Sequence, residues 1–160
     1  MSNGVYCLTA DEHRANAILT GLRAEGLGSE ISVLIGNHAE SRDLSVKEDA
    51  LRGAKVGSIV GALLALTIPG IGEALIIGPL LAALSGAAAG SVVGGLAGGS
   101  GVLGRIGLPE DVANRIHQGV SEGKILIAVN TEDPSKRAKT LEIFRTENAD
   151  YIYEEERKAA

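Results

Sequence analysis

A chain of 160 residues with a net charge of −5 has room for one domain of ordinary size. Its acidic balance, with a pI near 5.2, excludes a general nucleic-acid binder, which presents a basic face. A single cysteine, Cys7, excludes an internal disulfide and fits a reducing compartment.

Val5 to Thr9 is a short apolar run and is expected to be a strand. No basic stretch and apolar core precede it, so no secretory signal is read. Thr9-Ala-Asp-Glu12 matches a capping box. The helix expected after it carries Ala15, Ile18, Leu19 and Leu22 at amphipathic spacing. It should stop near Gly26 and Gly28, where glycine takes a left-handed turn. Ile31, Val33 and Ile35 mark a second strand, and Asn37 to Asp49 is a polar connector.

The middle of the chain is unlike its ends. Of the 22 glycines, 15 lie between Gly53 and Gly107. From Val56 to Gly104 the one charged residue is Glu73. Gly53, Gly57 and Gly61 recur at every fourth position, as do Gly86, Gly90, Gly94 and Gly98. On a helix such residues share one face and make a strip without side chains. Glycine costs a helix about 0.8–1 kcal/mol relative to alanine, so the strips need close helix–helix packing to offset them. A glycine-zipper helical hairpin is therefore expected over 51–106, for assembly rather than chemistry. Pro69, Gly70 and Gly72 form its turn, and Glu73 sits at an exposed tip beside a helix start. Arg52, Lys55 and Arg105 flank its base, which fits a cytoplasmic base if the hairpin enters lipid. The first arm is short for a span of about 20 residues, whereas Ala74 to Leu96 is long enough.

Pro109-Glu110-Asp111 opens another helix, with Val112, Ile116 and Val120 on its apolar side. Lys124 to Thr131 reads as a third strand. Asp133-Pro134 caps a helix whose inner face is expected to hold Ala138, Leu141 and Phe144. Asp150 to Glu154 reads as a fourth strand. Without the insertion and the helix after it, the order is strand-helix-strand twice. The expected fold is α+β, a ferredoxin-like split βαβ sheet with both crossover helices on one face. Residues 1–50 form the first half, 51–106 the insertion, and 107–160 a helix plus the second half.

This arrangement resembles a family of bacterial general-stress proteins, YflT-like predicted membrane proteins of unknown function. The resemblance rests on Val5-Tyr6 followed by Asp11-Glu12, on Glu30-Ile-Ser-Val-Leu34, and on Ile68-Pro69-Gly70-Ile71-Gly72. It rests also on Gly107-Leu108-Pro109-Glu110 leading to Gly123-Lys124-Ile125-Leu126-Ile127. It implies stress association and membrane association, and supplies no catalytic residues.

Chemistry is sparse. Gly99, Gly101 and Gly104 spell G-x-G-x-x-G, but a dinucleotide site needs the string between a strand and a helix. His13, His38 and His117 have no metal-ligand spacing with one another or with Cys7. Cys7 reads as a small core residue. The strand Lys124 to Asn130 lacks the aromatic residues with which RNA-recognition sheets stack bases. No cofactor, metal or catalytic residue is assigned, and no nucleic acid is expected as a partner. The leading expectation is a non-enzymatic, self-associating stress protein in the cytoplasm. Its partners are other copies of itself and, if the hairpin faces lipid, the inner face of the membrane. A soluble ligand-binding or regulatory protein is the alternative, and an enzyme ranks third.

Overall fold

The computed structural model describes residues 4–35, 64–68, 72–77 and 108–155, with 64–68 and 72–77 described as backbone. In chain order the elements are β1 (Gly4–Thr9), α1 (Glu12–Ala24), β2 (Ile31–Ile35), β3 (Leu64–Ile68) and β4 (Gly72–Ile77). They continue with α2 (Glu110–Ser121), β5 (Ile125–Asn130), α3 (Pro134–Thr146) and β6 (Tyr151–Glu154). The architecture is α+β. The strands form one six-stranded sheet in the order β3-β4-β2-β5-β1-β6, and every neighbouring pair is antiparallel.

β5 lies between β1 and β2, with Ile127 opposite Cys7 on one side and Val33 on the other. β1 and β2 therefore run parallel, and α1 is the crossover between them. β1 in turn lies between β5 and β6, with Cys7 opposite Ile127 and Ile152. β5 and β6 run parallel, and α3 is their crossover. Crossovers of one hand put both helices on one face. That face is a continuous aliphatic layer. Val5, Cys7, Ile31, Val33, Ile35, Ile125, Ile127 and Val129 meet Ala15, Ile18, Leu19 and Leu22 of α1 and Phe144 of α3. Strand residues one step out of phase, Tyr6, Leu8, Leu34, Leu126 and Ala128, point to the opposite face. There they meet Val112, Ala113, Ile116 and Val120 of α2.

The three helices end alike. Leu27, Lys124 and Ala149 each donate a backbone N–H to the carbonyl five residues back, of Leu22, Gly119 and Phe144. This is the Schellman turn, and it needs a left-handed residue just before the donor. Gly26, Gly123 and Asn148 supply it with φ of 77°, 96° and 52°. Each turn sends the chain on toward the sheet.

The helix starts correct one detail. The expected capping box does not form, since the N-cap of α1 is Asp11, whose side chain accepts from His13 N–H at 2.8 Å. The Thr9 hydroxyl accepts instead from Asp11 N–H, at 3.4 Å. β1 runs through Thr9, which leaves that residue one turn too early to cap. Asp133 does cap α3, accepting from Ser135 N–H at 2.8 Å. On α3 Phe144 is buried, but Ala138 is exposed and Thr140 is buried instead. Thr140 tolerates burial because its hydroxyl donates to the Lys136 carbonyl at 2.8 Å.

The larger correction concerns the insertion. Part of the expected helical hairpin over 51–106 is a β-hairpin, β3 with β4, and the sheet has six strands rather than four. Leu64-Ala-Leu-Thr-Ile68 and Gly72-Glu-Ala-Leu-Ile-Ile77 are runs of strand length on either side of Pro69-Gly70. Each ends in β-branched residues, which favour strands. The fourfold glycine spacing also lapses between Gly61 and Gly86. Without β4, β2 would leave a row of backbone groups unpaired beside an apolar core, which is costly. Instead Val33, Leu34 and Ile35 pair with Ile77, Ile76 and Leu75. Glu73 accordingly lies within β4, opposite Thr67, and not at a helix start. Gly72 opens β4 opposite Ile68.

Candidate functional site

A concavity among the described residues follows from where α2 sits. α2 lies against β5 and β1 and reaches the edge strand β6 through Arg115 over Tyr151. Gly119 brings it close, since a Cβ there would stand 2.6 Å from Leu8 Cδ1. A cleft of about 390 Å³ remains between the flank of α2 and the start of β6. Arg115, Gln118, Gly119 and Glu122 wall it on one side, at i, i+3, i+4 and i+7 of one helix face. Leu8 and Tyr151 supply apolar surface, while Lys124 and Asp150 complete the lining. The Schellman turn at Gly123 delivers Lys124 to this position.

The cleft holds two carboxylates and two cations, but the carboxylates are engaged. Asp150 Oδ2 accepts from Ala10 N–H at 2.8 Å, and Oδ1 lies 3.6 Å from Arg14 Nη1. Glu122 Oε1 accepts from Gln118 Nε2 at 3.1 Å. The Arg115 guanidinium stands 4.9 Å from the centroid of the Tyr151 ring, over its face. That is a cation–π contact, which leaves the guanidinium N–H donors and the charge unneutralised. Neither Arg115 nor Lys124 makes a salt bridge among the described residues.

The nucleophile and metal candidates are elsewhere. Cys7 is fully buried on the opposite face of the sheet. Burial pushes its thiol far above the ordinary value, although a backbone hydrogen bond at Ile127 works weakly against this. A thiol held neutral is a poor nucleophile. His13 is exposed on α1 and His117 is half-buried on α2, while His38 is outside the described residues. Among the described residues no group of three His, Cys, Asp or Glu side chains is arranged to hold a metal ion. No helix among them is long and apolar enough to cross a membrane.

Most of the assembly residues lie outside the described residues. This holds for Gly53, Gly57, Gly61, Gly86, Gly90, Gly94 and Gly98, for Pro69 and Gly70, and for Arg52, Lys55 and Arg105. It holds also for Gly99, Gly101 and Gly104 of the glycine string. The register of β3 with β4 is described between the two glycine-rich runs. Leu64, the first residue of β3, pairs with Ile76 near the end of β4. The chain therefore enters β3 and leaves β4 at the same end of one hairpin. The strands there are about 4.8 Å apart. The cleft itself escapes a reading of the sequence. The spacing of Arg115, Gln118 and Glu122 gives one flank of a helix, but nothing local brings Asp150 and Tyr151 to it.

The chain matches no protein-family model, no curated protein and no solved structure.

Proposed function

We propose that this is a non-enzymatic, self-assembling, stress-associated protein of the cytoplasm, whose glycine-rich runs pack between subunits. In this reading β6-β1-β5-β2 is a ferredoxin-like sheet, supported by its two parallel crossover pairs. The β3–β4 hairpin is the mount from which the glycine-rich runs extend. One observation carries the proposal. The Leu64–Ile76 pairing puts the start of β3 and the end of β4 together at one end of the sheet, and in this reading the two runs start from there. Two strips lacking side chains, started next to each other, have a short path to close packing. Copies of the same surface then associate with closed symmetry as the default. The resemblance to general-stress proteins supports the stress role, and the apolar composition of the runs supports contact with lipid at the inner face of the membrane.

Gly90→Leu and Gly94→Leu put bulk at the centre of the glycine strip, whereas Ala82→Leu adds it one turn before the first glycine of that row, Gly86, where a side chain already stands. The expected result is that the two glycine variants lose assembly in sizing by light scattering while Ala82→Leu keeps it. Equal assembly of all three would remove the basis of the proposal. Flotation with liposomes then separates self-association alone from self-association on lipid.

A further inference from the structure

We propose that the cleft between α2 and β6 binds a small organic oxyanion, a phosphate or carboxylate carried on a compact apolar body. Charge comes first. Of the two carboxylates of the cleft, Asp150 is held by Ala10 N–H and Arg14, while Glu122 accepts from the neutral Gln118 amide and keeps its charge. The two cations, Arg115 and Lys124, form no salt bridge among the described residues. Two cations against one uncompensated carboxylate leave the cleft a net positive charge and free N–H donors, and an oxyanion uses both.

Shape and support come second. The volume of about 390 Å³ is at the small end of the range for ligand sites. Arg115 is held over the Tyr151 ring, and Lys124 follows the hydrogen-bonded turn from Gly119 to Gly123. The Arg115 guanidinium is thus oriented before any ligand arrives, which lowers the ordering cost of binding. Leu8 and the rim of Tyr151 give the apolar body a surface to cover. The absence of a side chain at Gly119 lets α2 sit against Leu8 on the floor of the cleft. This inference does not depend on the assembly reading, because no residue of the glycine-rich runs takes part.

Titration calorimetry on the full chain tests it with four probes. Phenyl phosphate carries both features, inorganic phosphate the charge alone, benzyl alcohol the apolar body alone, and benzylamine the opposite charge. Phenyl phosphate is expected to bind saturably and more tightly than inorganic phosphate, with benzylamine giving no binding. Lys124→Gln and Arg115→Gln should each weaken phenyl phosphate about tenfold, the loss of one charge-assisted contact. Gly119→Val should weaken binding by forcing Leu8 and α2 apart and deforming the cleft. Lys139→Gln, a cation on α3 remote from the cleft, controls for general charge and should bind as wild type does. Thermal unfolding of each variant checks that the fold is intact. Binding that benzylamine matches, binding that Lys124→Gln and Lys139→Gln weaken equally, or no binding of phenyl phosphate at millimolar concentration would overturn the proposal.

Discussion

On one face of the sheet two helices lie side by side, and on the other a single described helix crosses two strands. The α1 and α3 face is closed by aliphatic side chains and Phe144, with Cys7 sealed beneath them. The α2 face carries the aromatic residues of the sheet. Tyr6 is buried there, with its ring centroid 6.2 Å from that of Tyr153, while Tyr151 and Tyr153 are only half-buried. Both faces belong to the same strands, so propensity does not explain the difference; the connections do. Two crossovers must each return over the face they left, and together they cover it. α2 is held by no such constraint. It settles where Gly119 allows the closest approach and leaves the flank of β6 open. A closed face contributes stability, and an open flank leaves room for a ligand.

The comparison can be broken most sharply at Phe144. Phe144→Ala on the closed face should cost about 3–5 kcal/mol, because a buried aromatic ring leaves a cavity its neighbours fill only partly. Urea unfolding measures this, and the rate of Cys7 labelling by a thiol reagent gives a second view. Wild-type Cys7 should resist labelling in the native state, and the variant should label faster. An unchanged midpoint would mean that this face is not the stabilising one.

Gly119→Val probes the open face and should cost less, about 1–3 kcal/mol from overpacking against Leu8. Gly119→Ala should fall below it, since the gain in helix propensity, about 1 kcal/mol, offsets part of the crowding. Comparing the two by urea unfolding separates crowding from propensity, and a more stable valine variant would refute the close approach.

The smallest effect is expected at the rim of the closed face. Hydrogen bonds from Lys136 to Glu30 and from Lys139 to Glu25 raise both lysines above their ordinary value of 10.5. A raised folded value means that any stabilisation is present below pH 10.5 and is lost as pH climbs through the folded value. Both ammonium groups are solvated, and exposed pairs contribute little. Lys139→Ala should therefore leave the unfolding midpoint unchanged between pH 6 and 9 within error. A clear drop would show that the rim helps to hold the face closed.

Legibility in the sequence follows the range of the interaction. The inner face of α1, from Ala15 to Leu22, can be read because four apolar residues at one spacing admit a single solution. The α3 face is harder, since Thr140 is buried by satisfying its own hydroxyl while Ala138 is left to solvent. The capping box at Thr9 is a sound local pattern that loses to β1, whose pairing extends through that residue. The β3–β4 hairpin is masked by the glycine rows around it, and its decisive cause is the edge of β2, which no local window contains. The cleft depends on β6 returning beside β1, so only the folded sheet assembles it.

The pairing at the outer end of β1 has a consequence for the order in which this molecule comes into being. Glu155 N–H donates to the Gly4 carbonyl at 3.0 Å, across 151 positions of sequence. β1 emerges first from a ribosome, yet both strands that flank it come after the apolar middle. At the usual pace of synthesis β1 waits on the order of ten seconds for its neighbours. Through that interval the glycine-rich runs have already emerged, and the sheet that carries them has not yet closed. The apolar runs are therefore exposed to the cell before the sheet that follows them in the sequence can form.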